Sequence, residues 1–176
     1  MERYYNQTIG ADVLTETGIR VGKVFEIVIE PTTGKIVGFL ITPRGDKVIA
    51  PSDVIFWGEQ LVISDHDDIM DTEDLIKVQQ ALKLNIRIHK NKVFTKKNEF
   101  LGTVLDFALN TSFFMMTKLF VAKTFLGFLP YQEKVIAHKN ILEITYDKII
   151  VKNPIGLIPI KDKEKAKLRI DIAPTG

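Results

Sequence analysis

The sequence predicts a mainly β chain in which one small β unit occurs twice. Three observations predict it. First, Val13-Leu14-Thr15 followed by Val21-Gly22-Lys23-Val24-Phe25-Glu26 has a counterpart eighty residues on: Val93-Phe94-Thr95, then Leu101-Gly102-Thr103-Val104-Leu105-Asp106. Second, Lys47-Val48-Ile49-Ala50 returns unchanged as Lys134-Val135-Ile136-Ala137. Third, short β-branched runs alternate with closely spaced Gly, Pro and Asn turns, the pattern of a small barrel rather than of βαβ units. An internal repeat governs every later inference about the fold. Each copy is only about 60–70 residues, where one core gives marginal stability. The copies are therefore expected to pack together or to dimerise.

The first copy opens with Val13–Thr15. Arg20–Ile29 reads as one long strand, rich in Val21, Val24, Ile27, Val28 and Ile29. Glu30-Pro31-Thr32-Thr33-Gly34-Lys35 is a turn, because Pro presets φ and Gly supplies φ > 0. Lys35–Thr42 returns as the second arm of a hairpin. Pro43-Arg44-Gly45-Asp46 turns again, and Lys47–Ala50, Val54–Phe56 and Leu61–Ser64 are short strands. Asp65–Leu84 reads as a joint. Thr72 or Asp71 caps a helix over 72–83, with Glu73 and Asp74 in its first turn and Leu75, Ile76, Val78, Ala81 and Leu82 on one face. The second copy repeats the order over Lys92–Thr95, Phe100–Leu109, Met115–Lys123, Lys134–Ala137, Ile141–Thr145 and Lys148–Lys152. Asn98 replaces Gly18 and still tolerates φ > 0. The Pro-Thr-Thr-Gly turn becomes Thr111-Ser112-Phe113-Phe114, and the loop before Lys134 lengthens to Phe125–Gln132. The domain plan is thus 1–66, a helical linker 67–85, 86–153, and a tail 154–176.

The net charge of +2 conceals an asymmetry. Residues 1–80 hold 7 Lys+Arg against 14 Asp+Glu, net −7, and residues 81–176 hold 17 against 8, net +9. Such a chain is suited to head-to-tail association or to presenting its basic half to an anionic surface. There is no cysteine, which excludes disulfides, zinc thiolates and cysteine nucleophiles. Met1–Asn6 lacks the apolar core of a signal peptide. The most apolar stretch, Phe113–Pro130, is interrupted by Lys118 and Lys123, too early for a membrane-spanning helix. A cytoplasmic location, with peripheral membrane contact as the alternative, is the expectation.

Ile9–Val24, with Glu26-Ile27-Val28-Ile29-Glu30-Pro31-Thr32-Thr33-Gly34-Lys35-Ile36-Val37-Gly38-Phe39 and Val48-Ile49-Ala50-Pro51-Ser52-Asp53-Val54, resembles a PRC-barrel domain. The resemblance extends over about 8–65, and more loosely over 87–153, where Pro51 is replaced by His138. It implies two small six-stranded PRC-type β-barrels joined by a short helix. It also implies docking of protein or ribonucleoprotein partners and brings no common catalytic residues. No cofactor is expected.

The side chains agree with a binding role. Asp65-His66-Asp67-Asp68 lacks the glycine and glutamate of an EF-hand and reads as an acidic lead-in to a helix. His89 and His138 stand beside Lys90 and Lys139 with no carboxylate or nucleophile paired in sequence, and read as surface residues. Gly10, Gly18 and Gly22 do not form a phosphate cradle, and Ser52, Ser64 and Ser112 lack a nucleophile elbow. Two surfaces remain. Phe125, Leu126, Phe128, Leu129 and Tyr131 form an apolar loop absent from the first copy, where a protein partner, a second copy of the chain or a membrane can dock. Lys90, Lys92, Lys96 and Lys97, with Phe94 and Phe100 interleaved, form a basic patch suited to RNA. The repeat places Phe94 at the position of Leu14, which predicts a core role for it. The first expectation for the whole is a non-catalytic protein-binding adaptor. RNA binding and attachment to an anionic membrane are the alternatives.

Overall fold

The computed structural model describes residues 1–125, 129–152 and 158–159. The chain is mainly β, as expected. It divides into two compact units, Met1–Ile86 with Leu109–Met116, and Arg87–Ala108 with Thr117–Gly176.

The first unit contains β1 (Glu2–Tyr4), the one-turn helix α1 (Tyr5–Thr8), β2 (Asp12–Thr15), β3 (Arg20–Lys23), β4 (Glu26–Ile29), β5 (Ile36–Leu40), β6 (Lys47–Ile49), β7 (Val54–Trp57), β8 (Leu61–Ile63), β9 (Ile69–Asp71) and α2 (Ile76–Lys83). The strands form two open sheets, in the orders β3-β2-β8-β7 and β4-β5-β6-β9. The long strand expected over Arg20–Ile29 is therefore two strands in different sheets. Val24 turns the corner: its N–H donates to the Ala11 carbonyl, and its own carbonyl accepts from Gly10 N–H, where φ is +84°. Those bonds take the Val24 backbone out of both ladders. Its side chain, like those of Val13, Phe39, Ile49, Leu61 and Ile63, is buried.

The acidic segment read as a linker is part of this unit. β9 pairs antiparallel with β6, Lys47 opposite Asp71, and Lys47 Nζ lies 2.9 Å from the Asp71 carboxylate. Val78 of α2 is fully buried against Val28, Leu40 and Val48, with Leu75 and Ala81 packed alongside. Neither Thr72 nor Asp71 caps α2. The helix starts after Leu75, and Thr72 instead donates its hydroxyl to the Gly45 carbonyl and its N–H to that of Asp46. A three-residue edge strand that follows Asp65, Asp67 and Asp68 and ends in Asp71 has the composition of a linker, which is why sequence misplaces it.

The second unit holds β10 (Lys92–Thr95), β13 (Leu129–Ala137), β14 (Ile141–Ile144), β15 (Lys148–Val151), β16 (Ile158–Pro159) and most of β11 (Phe100–Asn110) and β12 (Met115–Phe125). Its order is β14-β15-β10-β11-β12-β13-β16. Strand pairing leaves the sheets of both units open, so the closed six-stranded barrels implied by the resemblance are not seen among the described residues.

The strand pairing inside the second unit reproduces that of the first. Asp12, Val13 and Leu14 pair with Lys23, Gly22 and Arg20; Lys92, Val93 and Phe94 pair with Thr103, Gly102 and Phe100, each eighty positions on and with the bulge in the same place. Parallel pairing of β2 with β8 likewise matches that of β10 with β15. The tight turns match too. Gly18 N–H donates to the Thr15 carbonyl at φ +83°, and Asn98 N–H to that of Thr95 at φ +61°. Positive φ at Asn98 is what the sequence predicts there. Asn98→Gly should leave stability unchanged or slightly raised, and Asn98→Val should cost about 1 kcal/mol or more, read as a shift in the denaturation midpoint. Equal midpoints for the two variants would contradict the left-handed assignment.

Candidate functional site

The basic cluster lies on β10 and the turn after it. In β10 the residues Val93 and Thr95 are buried, and Lys92 and Phe94 project to the other face. Phe94 is thus half-buried on the outer face rather than in the core, contrary to the expectation from Leu14. Leu14 itself is only half-buried, so the repeat position was never a core site. Phe94 stands opposite Phe100 in register, with ring centroids 5.3 Å apart and tilted by 51°. Lys92, Lys96 and Lys97 are exposed beside the pair. Lys90 is exposed too, but its φ of +65° and its N–H bond to the Val104 carbonyl place it at the sheet corner, the position of Gly10 in the first unit. β15 adds two residues that sequence reasoning missed. Lys148 pairs with Lys92, and Ile150 with Phe94. Parallel register is not legible in local sequence, so only the strand pairing brings them to this face.

Phe125, Leu129 and Tyr131 of the apolar segment lie in paired strands rather than in a loop. Phe125 ends β12 and Leu129 begins β13, the two paired, with Lys123 opposite Gln132 and Thr124 opposite Pro130. Tyr131 lies within β13. Leu126 and Phe128 fall outside the described residues. The extent of the insertion follows from register. Phe39 pairs with Ile49 in the first unit and Leu119 with Ile136 in the second, so Thr42 and Asp46 correspond to Ala122 and Glu133. Thr42 and Asp46 are joined by a hydroxyl–carboxylate hydrogen bond across a short turn. The second unit replaces that turn with an arm, the paired segment from Lys123 to Gln132.

Several titratable groups outside these surfaces are held by local contacts or burial. Asp68 accepts N–H bonds from Ser64 and Asp65 at 2.8 and 3.0 Å, and Asp65 accepts from His66 N–H, so the acidic run caps a short 3-10 turn before β9. His89 is half-buried, not a surface residue. Its Nε2 lies 3.0 Å from the Leu105 carbonyl, and burial, then the Lys90 charge, hold it below the usual histidine range. His138 is also half-buried, and burial lowers it as well. Asp106, which sequence reasoning missed, is fully buried and accepts the Phe107 N–H at 2.7 Å. Its counterpart Glu26 accepts the Ile27 N–H in the same way, so the repeat itself carried that signal.

Two four-stranded open sheets, a bulged β2–β3 hairpin and a short helix packed beside β4–β6 define the architecture of residues 1–86. The family profile described as PRC-barrel domain matches residues 1–77, so a PRC-barrel domain occupies that part of the chain, reaching through β9 into α2. No curated protein matches the chain. No helix among the described residues is long and apolar enough to cross a membrane.

Proposed function

We propose that the chain is a non-catalytic assembly module of two PRC-type β domains, the second of which docks a protein partner through its hairpin arm. One observation carries this reading. The β2–β3 and β2–β8 pairings recur eighty positions on as β10–β11 and β10–β15, and the paired segment from Lys123 to Gln132 has no counterpart in the short turn of the first unit. The addition supplies Phe125, Phe128 and Tyr131, large aromatic residues, and a few large anchors carry most of an interface's energy. Lys123 begins the arm, and Lys118 and Lys134 flank it in sequence, so positive charge surrounds it. The same positive charge suits an anionic membrane, but the adaptor reading needs no lipid. Full-length chain with Phe125, Leu126, Phe128 and Leu129 changed to Ser is expected to keep its circular dichroism and to lose the proteins captured by wild type from native lysate. A variant that unfolds, or one that captures the same proteins, overturns the arm as docking element.

A further inference from the structure

The two copies differ most informatively on one sheet face. Along β2 and its turn the first unit carries Asp12, Leu14, Glu16, Thr17 and Arg20, and eighty positions on the second carries Lys92, Phe94, Lys96, Lys97 and Phe100. In the first unit two cations pair with Asp12: Arg20 Nε lies 2.9 Å and Lys23 Nζ 3.8 Å from its carboxylate. In the second unit the carboxylates have become lysines and Arg20 has become an aromatic ring. The pairing register of the two strands is the same in both units, so the exchange changes the character of the face without changing its strand pairing.

What results is a row of apolar side chains across three adjacent strands, Ile150, Phe94 and Phe100, beside a row containing Lys148 and Lys92. Phe100 is 40% exposed, a large fraction for a phenyl ring on a sheet. Lys96 and Lys97 extend the positive charge past the end of β10. Carboxylates are present at the margins: Glu99 in the turn, Glu143 opposite Ile150 on β14, and Asp147, which accepts the Thr145 hydroxyl. The unit as a whole, over 87–108 and 117–152, holds 11 Lys+Arg and 5 Asp+Glu, net +6. Neighbouring aromatic faces with flanking lysines match the chemistry of unpaired nucleotides. Bases stack on the rings, and phosphates meet the ammonium groups.

We propose that the outer face of β15-β10-β11 binds single-stranded nucleic acid, with Phe94 and Phe100 as the stacking platform and Lys92, Lys96, Lys97 and Lys148 as phosphate contacts. This site does not depend on the hairpin arm or on any protein partner of the arm.

Fluorescence anisotropy of labelled 12-nucleotide U-rich RNA and T-rich DNA, titrated with the full chain, tests it. Four phosphate contacts weaken binding about 50-fold between 50 and 200 mM salt. Phe100→Ala, at an exposed ring, weakens binding about ten-fold. The combined charge reversal Lys92→Glu, Lys96→Glu and Lys97→Glu removes it. Phe94→Ala carries some risk to the fold, so Phe100→Ala and the charge reversal, each checked by circular dichroism, decide the matter. Binding of either oligonucleotide with these sensitivities supports the proposal, and the RNA and DNA arms show which sugar is accepted. No binding at 50 mM salt overturns it. So does binding that Phe100→Ala leaves unchanged, equal affinity for a blunt RNA duplex, or attachment to phosphatidylserine vesicles without oligonucleotide binding.

Discussion

Gly102→Ala destabilises the second unit by about 3 kcal/mol or more, while Gly22→Ala, the same change at the same repeat position, stays within about 1 kcal/mol of wild type. Both glycines sit at the bulge of a two-stranded pairing, opposite Val93 and Val13. Their surroundings differ. A Cβ on Gly22 would meet Ile41 at 3.6 Å, an ordinary contact. A Cβ on Gly102 would lie 2.2 Å from the Ala122 carbonyl oxygen and 2.8 Å from Lys123 N. Those are backbone atoms, which cannot rotate away as a side chain can. Gly102 also has φ of +134°, a region closed to residues with a Cβ. Hydrogen exchange read over β10, β11 and β12 should show the loss in the second unit only. Equal effects of the two substitutions would contradict the packing of β12 on the bulge.

Phe114→Ala is expected to cost about 3 kcal/mol, and Phe114→Gly to cost less by up to about 1 kcal/mol. Phe114 takes the repeat position of Gly34 and keeps its left-handed backbone, φ +47° against +72°. For a bulky residue that conformation carries strain on the order of 1–3 kcal/mol. The compensation lies in the first unit, to which residues 109–116 belong. The Phe114 ring stacks on Trp57 at 5.8 Å and 21°, and meets Phe39 edge-on at 6.3 Å; Phe39 in turn meets Trp57 edge-on at 5.0 Å. Aromatic pairs of this geometry add roughly 0.5–1.5 kcal/mol each beyond the area they bury. The backbone is fixed as well. Ile36 N–H donates to the Phe114 carbonyl at 2.7 Å, and Met116 N–H to that of Gly34 at 2.8 Å, positions related by the same eighty-residue step. Trp57 is the sole tryptophan, so its emission reports the change directly. Ala retains the strained φ and loses the ring, whereas Gly loses the ring and the strain together. If Gly proves more damaging than Ala, the strain assigned to Phe114 is wrong.

The sequence disclosed what depends on local pattern. Repeated letters predicted repeated pairing, and Val13–Thr15 and Val93–Thr95 do share register and bulge. Asn98 was legible as a left-handed turn residue because its side chain tolerates that conformation. Residues whose roles depend on distant partners were not legible. Asp71 looked like linker until β6 paired with it, and Phe114 looked like a lost turn glycine until Trp57 covered it. Val24 looked like mid-strand because the corner is made by bonds to Ala11 and Gly10. At the candidate surfaces the lysines and phenylalanines were visible by type, but Lys148 and Ile150 joined them only through parallel pairing of β15. The arm was visible as an insertion, and its strand pairing from Lys123 to Gln132 was not.

The central claim is that one strand scaffold serves twice and that the second copy carries the arm that recognises a partner. Its most direct test is one capture experiment from native lysate with three full-length chains. These are wild type, the arm variant with Ser at 125, 126, 128 and 129, and a first-unit control with Ile55→Ser and Phe56→Ser. Ile55 and Phe56 are more than half exposed, at 52% and 54%, so the control tests an apolar surface of the first unit without emptying its core. Capture should be lost with the arm variant and retained with the control. Capture retained by the arm variant and lost by the control would place recognition on the first unit and contradict the account.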